Sequence, residues 1–299
     1  MKETRKFIKI RCLVLPTIPC FVDIMATFFG EILPVTSRAV DEDDDEEENA
    51  LETAISPAVL RWSPQVRSEI ESSPNQCLHC SILIIAVGQA ATGFTQCYVL
   101  SQQSEKIGAI CTGLDDKDTS TLSQDAHSDK TCYIYRLVHK PEVVVVQCKT
   151  EVQAAQAFSW TQQLFSSINI NHTYIAVLTC GSVTDFKCDV MVSDLPAPFL
   201  RALKTSSFHG QPIAPYLEQP NTISGLPAQL LTHCQVERIA AVLYTCYTDS
   251  IHLDMNTMKT FRPVLQVTPL KNVIQIPVNA DKLMAEFVDR NLRDNFLYT

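Results

Sequence analysis

The chain has 299 residues, of which 46% are hydrophobic and 33 are acidic against 24 basic, for a net charge of −9. The run from Asp41 to Glu48 (DEDDDEEE) carries almost all of that excess. The remainder is close to neutral and offers no basic stripe of the kind that neutralises phosphates, which argues against a nucleic-acid partner. The length is enough to bury one large core.

The first residues place Lys2, Arg5, Lys6, Lys9 and Arg11 ahead of an apolar stretch, as a secretory signal does. Pro16 and Pro19 interrupt that stretch and no A-x-A-like cleavage site follows. No later segment approaches about 18 uninterrupted apolar residues, so the expectation is no membrane span. Twelve cysteines are too few for a disulfide-stapled scaffold, and several lie in apolar runs, such as Cys180 and Cys246. Such cysteines behave as small buried hydrophobes, which suits a reducing compartment and predicts a cytoplasmic protein.

Residues 1–50 read as a disordered leader, because a block of like charges cannot bury apolar area to offset its ordering entropy. Residues 51–299 then read as a single α/β domain, with folded structure starting between Ala50 and Pro74. The expected fold is a layered α/β domain with a central, largely buried β-sheet flanked by helices.

In chain order, Ile82 to Val87 (ILIIAV) predicts a buried strand, ended by Gly88 into a helix of small residues. Thr131 to Val138 and Glu142 to Gln147 predict a strand pair turning at His139-Lys140-Pro141. Glu151 to Phe165 predicts an amphipathic helix that buries Val152, Ala155, Phe158 and Ser159. Tyr174 to Thr179 and Ile239 to Cys246 are two more apolar runs, and strands apolar on both faces lie under helices on both sides. Pro198 is expected to open a helix over FLRALKT, and Leu226-Pro227 to open another over AQLLTHCQV. Asn279 or Asp281 can cap a last helix whose stripe is Leu283, Phe287 and Leu292, with periodicity stopping after Arg293.

Several short motifs could carry chemistry. Gly88 and Gly93 have P-loop spacing at a strand end, but Phe94 stands where the phosphate-binding lysine belongs, so the segment reads as close helix packing. Cys77 and Cys80 are spaced as half a zinc site or a redox pair, without a second pair of similar spacing. Asn171-His172-Thr173 matches the glycosylation sequon, which matters only in a secreted chain. The seven histidines show no ligand-like spacing, and no nucleophile elbow is present. Catalytic, metal and cofactor sites are therefore expected to be absent.

The C-terminus is more specific. Leu297-Tyr298-Thr299 offers an apolar anchor, an aromatic hydroxyl and a terminal carboxylate, behind the polar Arg293-Asp294-Asn295 segment, which reads as flexible. Pockets built from a lysine and backbone N–H groups capture such ends.

Over most of its length the sequence resembles the proteasome assembly chaperone 1 family. The matching stretches are Met25 to Glu31 before the acidic run, Ile84 to Gly88, Leu178 to Cys180 with Val183 to Asp185, Pro198 to Thr205, Leu217 to Asn221, Leu226-Pro227 with Cys234 to Val236, Leu243-Tyr244 with Cys246 to Asp249, and Tyr298-Thr299. Family members begin at the equivalent of Met25, so residues 1–24 resemble an upstream extension. The resemblance implies a non-enzymatic chaperone that pairs with proteasome assembly chaperone 2, a related α/β protein. The pair would hold the proteasome α-ring during assembly and prevent off-pathway α-ring dimers. It also implies that Leu297, Tyr298 and Thr299 insert between proteasome α subunits as a hydrophobic-Tyr-X tail. The alternative is an α/β enzyme of nucleoside-phosphorylase-like fold. An obligate partner further predicts an isolated chain of poor solubility.

Overall fold

The computed structural model describes residues 56–101, 103–112, 131–149, 151–189, 191, 194–250 and 252–296, with side chains through residue 293. The leader, its acidic run at residues 41–48 and the tail at residues 297–299 lie outside the described residues.

One eight-stranded sheet organises these residues. Its strands are β1 (Val59–Trp62), β3 (Ile82–Val87), β4 (Ser104–Cys111), β5 (Thr131–Leu137), β6 (Lys140–Cys148), β8 (Tyr174–Ser182), β9 (Phe199–Lys204) and β10 (Ala241–Thr248). The order across the sheet is β1-β4-β5-β6-β3-β8-β10-β9. The four central strands β6, β3, β8 and β10 run parallel. The margins, β1, β4 and β5 on one side and β9 on the other, run antiparallel to their neighbours. A two-residue parallel ladder joins β2 (Leu78–His79) to β7 (Ile168–Asn169).

Side chains of a strand alternate between faces, so a strand covered on both faces must be apolar at every position. The central strands meet that requirement over most of their length, with Gln147, Thr179 and Thr245 as polar exceptions. Ile82, Ile84 and Ala86 of β3 face one core, with Val143 and Val145, Ala176 and Leu178, and Val242 and Tyr244. Leu83, Ile85 and Val87 face the other, with Val144 and Val146, Ile175 and Val177, and Ala241 and Leu243. Helices α2 (Gln89–Tyr98), α5 (Met255–Thr260), α6 (Leu270–Val273) and α7 (Ala280–Phe296) close the first core. Helices α1 (Pro64–Ser72), α3 (Ala154–Ser167) and α4 (Gly225–Val236) close the second. The layered α/β architecture is the expected one.

Two local expectations need correction. FLRALK is β9, an edge strand antiparallel to β10, where a helix was expected. The segment can satisfy either period, and the unfilled edge of β10 offers it a ladder together with burial of Leu200 and Ala202, which outweighs local propensity. Helix α3 buries Ala157, Trp160, Thr161 and Leu164, whereas Phe158 is 56% exposed. The helix is therefore rotated from the expected stripe, because the large indole of Trp160 has more apolar area to bury than Phe158. The first described elements, β1 and α1, occupy residues 59–72, inside the expected Ala50–Pro74 window. Ser63 caps α1 with Pro64 in its first turn, a start signal independent of periodicity.

Candidate functional site at the C-terminal helix

The docking tail expected from the sequence follows α7, and α7 is held by two partners. The carbonyl of Asn279 accepts the first helical bond, from the Leu283 N–H at 3.0 Å, so Asn279 stands at the helix start. Asp281 in the first turn forms an ion pair with Lys259 of α5 at 3.2 Å. Ala280, Met284 and Asn291 are buried, with Leu283, Phe287 and Val288 packed against the same core. Met284, absent from the expected stripe, is fully buried, while Leu292 is half-buried. The Asn291 side chain is satisfied within the helix, its Nδ2 donating to the Phe287 carbonyl at 2.8 Å.

The closest approach is to Gly93 of α2. A methyl group there would lie 2.7 Å from Phe287 Cε1 and 3.0 Å from Met258 Cε, so α7, α5 and α2 meet around a position only glycine fills without displacement. This is what the glycine spacing of residues 88–93 serves. Gly88 takes a φ of 90° where β3 turns into α2, and its N–H donates to the Cys148 carbonyl at 2.8 Å. Phe94, at the lysine position of a P-loop, is buried with its ring 5.5 Å from Phe261 and 5.0 Å from Tyr98. Gln147 of β6 spends its amide on the Thr92 carbonyl and Thr95 hydroxyl at 3.1 and 2.9 Å.

Helix α7 continues through Phe296, so the segment Arg293-Asp294-Asn295 that reads as flexible is its last turn. Arg293 there complements the negative end of the helix dipole.

The other sequence motifs are placed as follows. The Cys80 thiol is buried and donates to the Ile82 carbonyl, and burial pushes it up to about 12; Cys77 lies half-buried near the Ser166 carbonyl. Cys180 of β8 sits beside Cys246 of β10, and the hydrogen bond between them, with burial, holds Cys180 well above the ordinary thiol range. Thiols so raised are poor nucleophiles. None of the ten described cysteines forms a disulfide. In the sequon, the Thr173 hydroxyl is buried and donates to the Cys80 carbonyl at 2.6 Å.

Three of the scattered histidines, His172, His209 and His233, line one groove of about 990 Å³ with Arg238, at the end of the sheet where β8 and β10 begin. The His233 ring stacks on Phe165 at 4.9 Å. Among the described residues no group of three His, Cys, Asp or Glu side chains is disposed to hold a metal, and no helix is long and apolar enough to cross a membrane.

This architecture is that of proteasome-assembly chaperone homologues: Pyrococcus furiosus PbaA, an archaeal homolog of proteasome-assembly chaperone, superposes with a TM-score of 0.52 over 81% of this chain and 93% of its own, at 11% identity. The sequence is far closer to vertebrate proteins. Proteasome assembly chaperone 1 of Xenopus laevis is 37% identical across 92% of this chain and 100% of its own length. That of Xenopus tropicalis is 40% identical across 81% and 88%. The profile of the family described as Proteasome assembly chaperone 4 matches residues 25–299. The chain belongs to the proteasome assembly chaperones, in the proteasome assembly chaperone 1 family.

Proposed function

We propose that this chaperone acts without catalysis, in the cytoplasm, as one half of a heterodimer with proteasome assembly chaperone 2. The heterodimer promotes assembly of the proteasome α-ring, prevents α-ring dimerisation, and docks through Leu297, Tyr298 and Thr299 between α subunits. The observation that supports this reading best is that α7, clamped to the body by Met284 and by Phe287 against Gly93, runs to Phe296, the residue directly before the tail.

The energetics suit an assembly factor. Charge-assisted hydrogen bonds to a terminal carboxylate contribute about 1.5–3 kcal/mol, and ordering the tail offsets part of that. A helix that reaches Phe296 confines the ordering to the last residues. One tail then binds weakly, and a second tail on the partner raises the grip through effective concentration while leaving it reversible. Free buried thiols such as Cys80 and Cys234 suit the reducing cytoplasm.

The test is deletion of residues 297–299, followed by pull-down and native gels with the partner chaperone present. Loss of α-ring binding with an intact heterodimer is the expected result. Unchanged binding shows that body contacts dominate and removes the tail from the mechanism.

A further inference from the structure

Arg201 and Thr245 stand directly opposite each other on β9 and β10, and Thr179 of β8 is the next residue in the same row. The row lies in the C-terminal halves of the parallel strands β8 and β10, three residues before each ends, toward the side on which open α/β sheets bind ligands. Two polar atoms in it are buried and unpartnered: Nε of Arg201 and Oγ1 of Thr245. Directly opposite strand positions keep their Cβ atoms about 5 Å apart, so one small ligand group can reach both.

The next row along the strands is Gly181, Tyr247 and Phe199. With Phe186 it forms a lid of three rings, Phe186 lying 4.9 Å from Tyr247 and 5.1 Å from Phe199. The guanidinium carbon of Arg201 sits 4.7 Å from the Phe199 ring and 5.2 Å from the Phe186 ring. Its Nη1 donates to the Leu200 carbonyl at 3.1 Å. Ring faces and one carbonyl do not neutralise this half-buried cation, whose Nε is fully buried and without an acceptor. Arg136 shows how the same molecule meets that requirement, with Glu69 and Glu105 each at 2.8 Å. Arg201 forms no ion pair among the described residues. Asp185, which bears with it on the Tyr247 hydroxyl, does not pair with it either.

We propose that Arg201, Thr245 and Thr179 form a carboxylate-binding site across β8, β10 and β9, in the C-terminal halves of the two parallel strands, roofed by Phe186, Phe199 and Tyr247. A carboxylate supplies what the row lacks, an acceptor for Arg201 Nε–H and for the Thr245 hydroxyl together with one negative charge. It comes either from an acidic side chain of a partner protein or from a free small carboxylate.

The experiment measures thermal unfolding of the full chain in sodium acetate against sodium chloride at equal ionic strength, for the wild type, Arg201→Gln and Thr245→Val. The expected result is a rise in Tm of about 3–6 °C in 0.1 M acetate for the wild type, as a Kd of about 10 mM gives, and none for either variant. Thr245→Val keeps the side-chain shape and guards against a folding defect in Arg201→Gln. Without acetate it should unfold no earlier than the wild type, since the hydroxyl it removes has no partner.

An equal rise in all three proteins, no rise in any, or a Thr245→Val variant destabilised without acetate overturns the site. A larger response to inorganic phosphate overturns the carboxylate assignment. N-acetyl-aspartate amide binding tenfold tighter than acetate assigns the site to a partner's acidic side chain; equal binding assigns it to a free carboxylate.

Discussion

Gly93→Ala sets two effects of known size against each other. Alanine favours a helix interior over glycine by about 1 kcal/mol, so an isolated α2 is stabilised. The new methyl group lies 2.7 Å from Phe287 Cε1 and 3.0 Å from Met258 Cε, where carbon contacts settle near about 3.5–4 Å. Met258 can swing its terminal methyl aside. Phe287 cannot withdraw alone, because Met284 one turn earlier is fully buried and ties α7 in place. Overpacking of this kind costs up to about 3 kcal/mol, and the displacement of nearly 1 Å puts Gly93→Ala toward that end. The net loss is about 1–2 kcal/mol, which lowers Tm by about 3–6 °C for a domain of this size. Thermal unfolding gives the total, and hydrogen exchange should place the loss in α7, with faster exchange from Leu283 to Asn291. Adding Phe287→Leu should recover part of the loss by removing the ring edge. An unchanged or higher Tm for Gly93→Ala refutes the reasoning, since helix propensity would then have won and α7 would not be clamped at Gly93.

Arg136→Met should cost about 1–2 kcal/mol in urea unfolding, with faster exchange in α1, because Arg136 joins Glu69 of α1 to Glu105 of β4 and both carboxylates can rehydrate; no change would show the bridge to be cosmetic. Thr205→Val should cost about 2–3 kcal/mol with an unchanged m-value, since the buried hydroxyl donates to the Ile239 carbonyl at 2.8 Å and accepts from the Ala241 N–H at 3.0 Å; a loss below 1 kcal/mol would mean those groups find other partners. Stability should also fall with alkali. Burial pushes the Cys80 and Cys234 thiols up to about 12 from 9.0, so the folded state keeps protons that the unfolded state releases. Their contribution is complete below about pH 9 and lost as pH rises toward 12, at most about 4 kcal/mol each. The stability difference between wild type and Cys80→Val, measured from pH 8 to 11, should shift against the wild type, and a constant difference would exclude the thiol.

The apolar runs of β3, β6, β8 and β10 were legible because both of their faces are buried, leaving most positions apolar whatever the neighbours. The β5–β6 hairpin and α4 were legible from turn and proline signals that act within a few residues. The family was legible as well, in short motifs that need no fold to be read. Strand β9 was not, since FLRALK becomes a strand only through the free edge of β10, about forty residues later in the chain. The rotation of α3 depended on which face the sheet presented to Trp160. The role of Gly93 was set by Phe287, nearly two hundred residues away, and sequence spacing carries no trace of that contact. The row of Thr179, Thr245 and Arg201 exists only through the register of three strands. The sequence by itself determined which segments must be buried and which family the chain resembles, because burial and local turns are written residue by residue. Tertiary structure alone decided which of those segments meet, because that depends on edges and faces that the chain supplies only once it has folded.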